Sequence, residues 1–169
     1  MASAYLYRTF GTPTNNKKWT YSLWVKKSAV TGNQAILSDT TEVATNRLFR
    51  DPSAWYHIVV AVDTTQSTAS DRVKIYVNGS QETSLAASNY PNQDATDKIN
   101  SGIRHDISGR NHAGSSDLYF DGQMTHVHFV DGTAYTPSTF GETDTTTGIW
   151  VPKTAPSVTY GTNGFFLKM

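Results

Sequence analysis

An all-β fold, an antiparallel β-sandwich with little helix, is what this sequence predicts. Two observations carry the reading. Residues 56–63 and 72–78 are rich in β-branched and aromatic side chains. Each run ends in turn formers, Asp63-Thr64-Thr65-Gln66-Ser67 after the first and Asn78-Gly79 after the second. Runs of this kind recur along the chain between Gly, Asn, Asp and Pro, whereas no stretch sustains a 3.6-residue apolar period.

Strands are expected over residues 4–10, 20–26, 34–38, 56–63, 72–78, 102–108, 118–120, 123–131 and 164–168. The first alternates polar and apolar residues. The second puts Trp19, Tyr21, Leu23 and Val25 on one face, with Trp24 opposite among Thr20, Ser22 and Lys26. In the run from Gln123, strict alternation sets Thr125, Val127 and Phe129 against Met124, His126, His128 and Val130. Asn78-Gly79, Asp121-Gly122 and Asp131-Gly132 mark tight reversals. A short helical turn over 136–140 is the one helix candidate, with Thr136 as cap and Pro137 in first position. Residues 82–98 and 143–160 read as surface loops, where function or assembly contacts concentrate.

The chain has 169 residues, enough for one domain over residues 1–169 with a core that needs no cross-links. Fourteen basic residues balance fourteen acidic ones, which disfavours a nucleic-acid partner or an anionic membrane surface. The absence of cysteine excludes disulfides and thiolate metal sites. The N-terminal residues alternate instead of forming an apolar signal run, and no span approaches transmembrane length, so neither a cleaved leader nor membrane insertion is expected.

The pairing of Trp55-Tyr56-His57-Ile58-Val59-Val60-Ala61-Val62-Asp63 with Ile75-Tyr76-Val77-Asn78-Gly79 resembles the laminin-G-like, or concanavalin A-like, lectin and glucanase jelly rolls. Ile107-Ser108-Gly109-Arg110 followed by Tyr119-Phe120-Asp121-Gly122 extends the resemblance. The tail, with Phe140-Gly141-Glu142, Thr147-Gly148-Ile149-Trp150-Val151-Pro152 and Gly164-Phe165-Phe166-Leu167, is similar to the ending of such modules in marine bacteriophage structural proteins. Two departures stand out. Residues 39–54 replace a further strand pair that the family commonly carries, which implies an abbreviated sheet with an open edge. The chain also stops soon after the Gly-Phe-Phe-Leu strand, which implies a free-standing protein. The resemblance implies a virion component, assembled in the host cytoplasm, that contacts other virion proteins or copies of itself as a homo-oligomer.

Glucanases of this fold use paired carboxylates, often as Glu-x-Asp-x-x-Glu along a strand, and this chain has no such array. Its acidic residues fall mostly in turns, including the Glu142 and Asp144 pair. His126 and His128 share a face at i, i+2 spacing used by zinc sites, with His105 or His112 as a third ligand. The alternative for both rings is hydrogen bonding along a polar face. His57, inside its apolar run, reads as structural, with its ring bonded to a backbone carbonyl. Calcium is the commoner metal of the resembled family, and Asp63, Asp71, Asp106, Asp117 and Asp121 are the candidate loop ligands. No Asp-x-Asp-x-Asp-Gly loop concentrates them. The metal candidates are therefore His126, His128 and Asp121.

Carbohydrate binding needs an exposed aromatic face with polar partners for hydroxyls. Trp24, Tyr90, Tyr135 and Trp150 are the aromatic candidates, because they lie off the core register or in loops, while Trp19 and Trp55 read as buried. Asn89, Asn92, Gln93 and Asn111 are the polar partners. The expected function is a non-enzymatic virion structural protein, a capsid decoration or fibre-like appendage, that binds glycans. The alternatives are a soluble calcium-assisted lectin and a degenerate glycoside hydrolase.

Overall fold

The structure, a computed structural model, describes residues 5–28, 37–38, 51–84, 89–96, 98–112 and 115–169, with the side chains of residues 37–38, 111–112 and 115–117 outside that description. Among the described residues the strands are β1 (Leu6–Thr9), β2 (Lys18–Lys27), β3 (Leu37–Ser38), β4 (Tyr56–Asp63), β5 (Val73–Val77), β6 (Ser80–Gln81), β7 (Arg104–Ile107), β8 (Arg110–His112), β9 (Ser115–Asp117), β10 (Gly122–Asp131), β11 (Gly141–Thr143), β12 (Trp150–Pro152) and β13 (Phe165–Leu167). A six-stranded antiparallel sheet runs β13-β10-β2-β4-β5-β6, and a three-stranded sheet runs β1-β7-β3. Two hairpins, β8–β9 and β11–β12, complete it.

The alternation read from β2 and β4 decides which face packs. Trp19, Tyr21, Leu23 and Val25 meet Ile58, Val60 and Val62 in one core with Phe10, Ile99, Phe120, Val127 and Phe129. Phe10 from the segment after β1 stacks on His105 of β7 at 4.1 Å and packs against Phe129 at 5.1 Å, which joins the two sheets. Asn78 and Gly79 have φ of 48° and 84°, the left-handed pair a two-residue β5–β6 turn requires.

Strict alternation fails in β10. Thr125 pairs with Trp24 and His128 with Ser22, so two residues of β10 stand against one of β2, and His126 at the bulge has φ of 48°. Met124 therefore packs on the core with Val127 and Phe129, while Thr125 changes to the face of His128 and Val130, the reverse of the expected assignment. Other expectations also shift. Residues 118–120 are not a strand; Phe120 N–H instead donates to Ser108 O. Asp121-Gly122 is no reversal either. Gly122 opens β10 where a Cβ would lie 2.2 Å from Lys26 O, so only glycine permits the approach. Trp55 is 39% exposed rather than buried. The expected turn at 136–140 is a 3-10 turn over Pro137–Thr139, and Thr136 occupies the cap position without a capping side-chain bond. Most of the expected strand at 34–38 and of the segment 39–54 lies outside the described residues.

The second face of the six-stranded sheet is covered by the chain's own residues 133–163. Thr20 Oγ1 donates to Thr133 O and accepts from Tyr135 N–H, and Asp131 N–H donates to Tyr160 O. Phe140 packs there with Val59, Val130, Tyr76, Tyr135, Val158 and Tyr160. The return of this arm is fixed by Asp131, only 2% exposed. Its Oδ1 accepts from Asn15 N–H and Asn100 Nδ2, and its Oδ2 accepts from Thr14 N–H and Asn163 N–H. Burial pushes this carboxyl up, but the four donors outweigh it and hold the group below the usual carboxylate range. Asp131→Asn keeps the shape yet turns an amide NH2 toward two N–H donors. The expected cost is about 2 kcal/mol in urea unfolding.

Candidate functional site

Four places gather chemistry-bearing side chains, and the covered face is one of them. Ser22 and His57 are both 0% exposed, and Ser22 Oγ lies 2.9 Å from His57 Nε2. Such a contact resembles a nucleophile with its base, but the third member decides the chemistry. Trp150 Nε1–H donates to His57 Nδ1 at 2.9 Å, and an indole can only donate. Nδ1 therefore carries the lone pair and Nε2 the proton, so His57 donates to Ser22 and cannot take its proton. Burial first, then the neighbouring His128 and His126, pulls the His57 pKa down to about 3. The ring is thus structural as expected, but side chains and not a backbone carbonyl satisfy it.

Trp24 and Trp150 are spent on the same network. Trp24 lies on the non-core face as expected, yet it is 7% exposed and stacks on His57 at 4.9 Å. Trp150 slots between two glycines, where a Cβ on Gly79 or Gly141 would lie 3.0 or 2.6 Å from its ring. Tyr135 is half-buried, edge-on to Phe140 at 6.1 Å, and its hydroxyl accepts from Thr159 N–H.

The candidate metal ligands have other partners. His128 is 2% exposed, bonds Tyr160 Oη through Nδ1 at 2.8 Å and stacks on Phe166 at 4.2 Å. Burial, then His126, lowers its pKa to about 4. The bulge brings His126 toward the same side, where Nδ1 meets Thr125 Oγ1 at 3.0 Å. Asp121 is exposed and lies just before β10, five residues ahead of His126. Among the described residues no group of three His, Asp or Glu side chains is placed to hold a metal ion. Asp63 accepts from Thr65, Gln66 and Lys18; Asp71 pairs with Lys74, and Asp106 with Arg104. The side chains of Asn111, His112 and Asp117 lie outside the described residues. Among the described residues the strands β2, β4, β5, β10 and β13 bring one carboxylate, Asp63, to the covered face by register, and so supply no carboxyl pair of their own there. Asp144, two residues after Glu142, is used locally, its Oδ1 accepting from Thr146 N–H, Thr147 N–H and Thr147 Oγ1.

Tyr90 and Asn89 belong to a different place, a cleft of about 380 Å³ between the core face of β4 and β5 and residues 89–99. The aromatic candidates thus do not converge on one surface.

An aromatic platform does exist, on residues outside the expected site. On the outer face of β1 and β7, Tyr5 is 37% and Tyr7 62% exposed. Their rings lie 6.3 Å apart, and Tyr119 stands 5.8 Å from Tyr5. The Arg104 guanidinium lies 4.3 Å from the Tyr7 ring centre and 5.5 Å from that of Tyr5. A fork of 2.7 and 3.1 Å bonds to Asp106 fixes it there. The signal was present in the first strand, because Tyr5 and Tyr7 at i, i+2 share a face.

Comparison with known proteins places this architecture. A search of curated proteins gave no match. Among solved structures the chain is similar to domain 4 of AbnA, a GH43 extracellular arabinanase from Geobacillus stearothermophilus solved with arabinotriose, at 18% identity and a TM-score of 0.46 over 72% of this chain and 64% of that one. It is also similar to a Bacteroides ovatus protein whose name gives carbohydrate binding as its expected role, at 18% identity and a TM-score of 0.48 over 77% of this chain and 42% of that one. The family model of the concanavalin A-like lectin/glucanases superfamily matches residues 38–139, more than half of the chain. With its antiparallel sheets packed on one aromatic core, the chain belongs to the concanavalin A-like lectin/glucanases superfamily.

Proposed function

We propose that this chain is a non-enzymatic, glycan-binding module that works on the surface of a phage particle. The observation that carries the binding role is the Tyr5–Tyr7–Tyr119 platform with Arg104 held against it. Exposed phenol faces suit the C–H face of a sugar ring, and a phenol hydroxyl, which both donates and accepts, suits its hydroxyls. The non-enzymatic role is supported by the reversed proton of the Ser22–His57 pair and by a covered face to which the described strands of the sheet bring one carboxylate. The virion placement rests on the resemblance of the tail motifs to phage structural modules. Association with copies of itself or other virion proteins is supported by exposed Leu6, Phe166 and Met169.

A glycan array with the wild-type chain and with Tyr7→Ala tests the binding role. Specific signal on the wild type is expected, with affinity for the best glycan falling about tenfold in Tyr7→Ala, the loss of about 1.4 kcal/mol that one stacked ring contributes. A blank array, or an unchanged variant, would remove the platform from the account. Mass spectrometry of purified phage particles checks the virion placement, which fails if the chain is absent from them.

A further inference from the structure

The three tyrosines of the platform stand in file, and the strands fix their order. Tyr5 and Tyr7 share one face of the β1 segment at i, i+2 spacing. Leu6 pairs with Ile107, so the next residue, Ser108, faces the Tyr5 end of β1, and Phe120 N–H donates to Ser108 O. That bond brings Tyr119 beside Tyr5, at 5.8 Å, while Tyr7 stands 6.3 Å from Tyr5 along the strand. Tyr5 is therefore the middle ring.

The file is set before a ligand arrives. Arg104, forked onto Asp106, lies 4.3 Å from the Tyr7 ring centre and 5.5 Å from that of Tyr5, so one fixed cation spans both rings. Rings held in place lower the ordering cost of binding. Successive sugars of a chain follow one another at about one ring width, as these phenols do. The tilts of 34° and 39° between neighbouring rings suit a chain whose units turn relative to one another.

The file is also open. Small molecules are held in concave pockets that enclose most of their surface, whereas Tyr7 is 62% exposed. Thr9, the next residue on its face, is exposed as well, so the strip runs on past Tyr7 where a site for a chain end would close.

We propose that the platform binds the interior of a polysaccharide chain, taking three consecutive sugars on Tyr7, Tyr5 and Tyr119, and selects neither a single sugar nor a chain end. This rests on the glycan-binding reading of the same platform and names the part of the glycan that it recognises.

The probes are fragments of one to six units built from the repeat of the best array glycan, with free and with capped ends, titrated by calorimetry. One stacked ring is worth about tenfold in affinity. Affinity is expected to rise about tenfold from one unit to two and about tenfold again at the third, to level off beyond it, and to be the same for capped and free ends. Tyr7→Ala and Tyr119→Ala are each expected to lose the gain at the third unit and keep that at the second. Tyr5→Ala, which removes the middle ring, is expected to lose both gains, and Tyr5→Phe, which keeps the stacking face, to retain both. Equal affinity for one unit and three, or binding lost on capping, overturns the proposal and leaves the platform a glycan site of another kind. Fragments of every length that fail to bind overturn the glycan-binding reading together with it.

Discussion

Trp150→Ala is expected to destabilise the protein by about 3–5 kcal/mol, the range for truncating a large, packed aromatic side chain. Two losses add. The indole leaves a slot shaped by Gly79 and Gly141, where a Cβ would lie 3.0 and 2.6 Å from its ring. His57 Nδ1, in a ring that is 0% exposed, loses its donor. Trp150 also pins the β11–β12 hairpin to the six-stranded sheet, so its removal loosens the arm that covers Val59 and Val130. Urea unfolding followed by near-ultraviolet circular dichroism measures the change. Trp150→Phe, which keeps much of the ring but not the N–H, is expected to lose about 1–3 kcal/mol. An unfolding midpoint for Trp150→Ala equal to that of the wild type would mean that the arm is not anchored there.

Acid is expected to unfold the protein through two histidines before its carboxylates protonate. Burial lowers His57 to about 3 and His128 to about 4, against an ordinary value of 6.5. The unfolded chain therefore takes up protons below about pH 6.5 that the folded chain refuses. Stability from the neutral rings is complete above that pH and is lost as pH falls toward the folded values. One refused proton costs about 1.4 kcal/mol per pH unit, so two make the slope approach about 2.7 kcal/mol per unit between about pH 6 and 4. Asp63 acts lower. Burial raises its carboxyl, but bonds from Thr65, Gln66 and Lys18 prevail and hold it at about 2, so its contribution is lost between about pH 4 and 2. Urea midpoints at a series of pH values give the slope. Histidine ring signals of His57 and His128 that titrate near 6.5 in the folded protein would contradict it.

The strands that form the core were legible because one rule governs them. The expected limits of 56–63 are those of β4, and the alternation of Trp19, Tyr21, Leu23 and Val25 survives unchanged in the core. That rule assumes an unbroken ladder, and the bulge at His126 breaks it, which is why Met124 and Thr125 exchanged faces. The hairpins β8–β9 and β11–β12 went unseen because strands of three residues are too short to show a period.

The site was less legible for a tertiary reason. Trp24 does lie on the non-core face, but the arm of residues 133–163 has no periodicity that announces where it lies, and it covers the ring. Trp150 is part of that arm, drawn in by His57, a partner 93 residues away in the chain. Tyr5 and Tyr7 were placed on a strand, yet their value as a platform appears only when Arg104 and Tyr119 arrive from distant segments.

Backbone chemical-shift mapping of the best array glycan, in calcium and again in EGTA, tests the central claim most directly. The account predicts shifts clustered on Tyr5, Tyr7, Arg104 and Tyr119 under both conditions, since the platform is built from phenol rings and a guanidinium. Shifts that vanish in EGTA, or that cluster away from these four residues, would contradict it and leave a calcium-assisted lectin or another surface as the binding site.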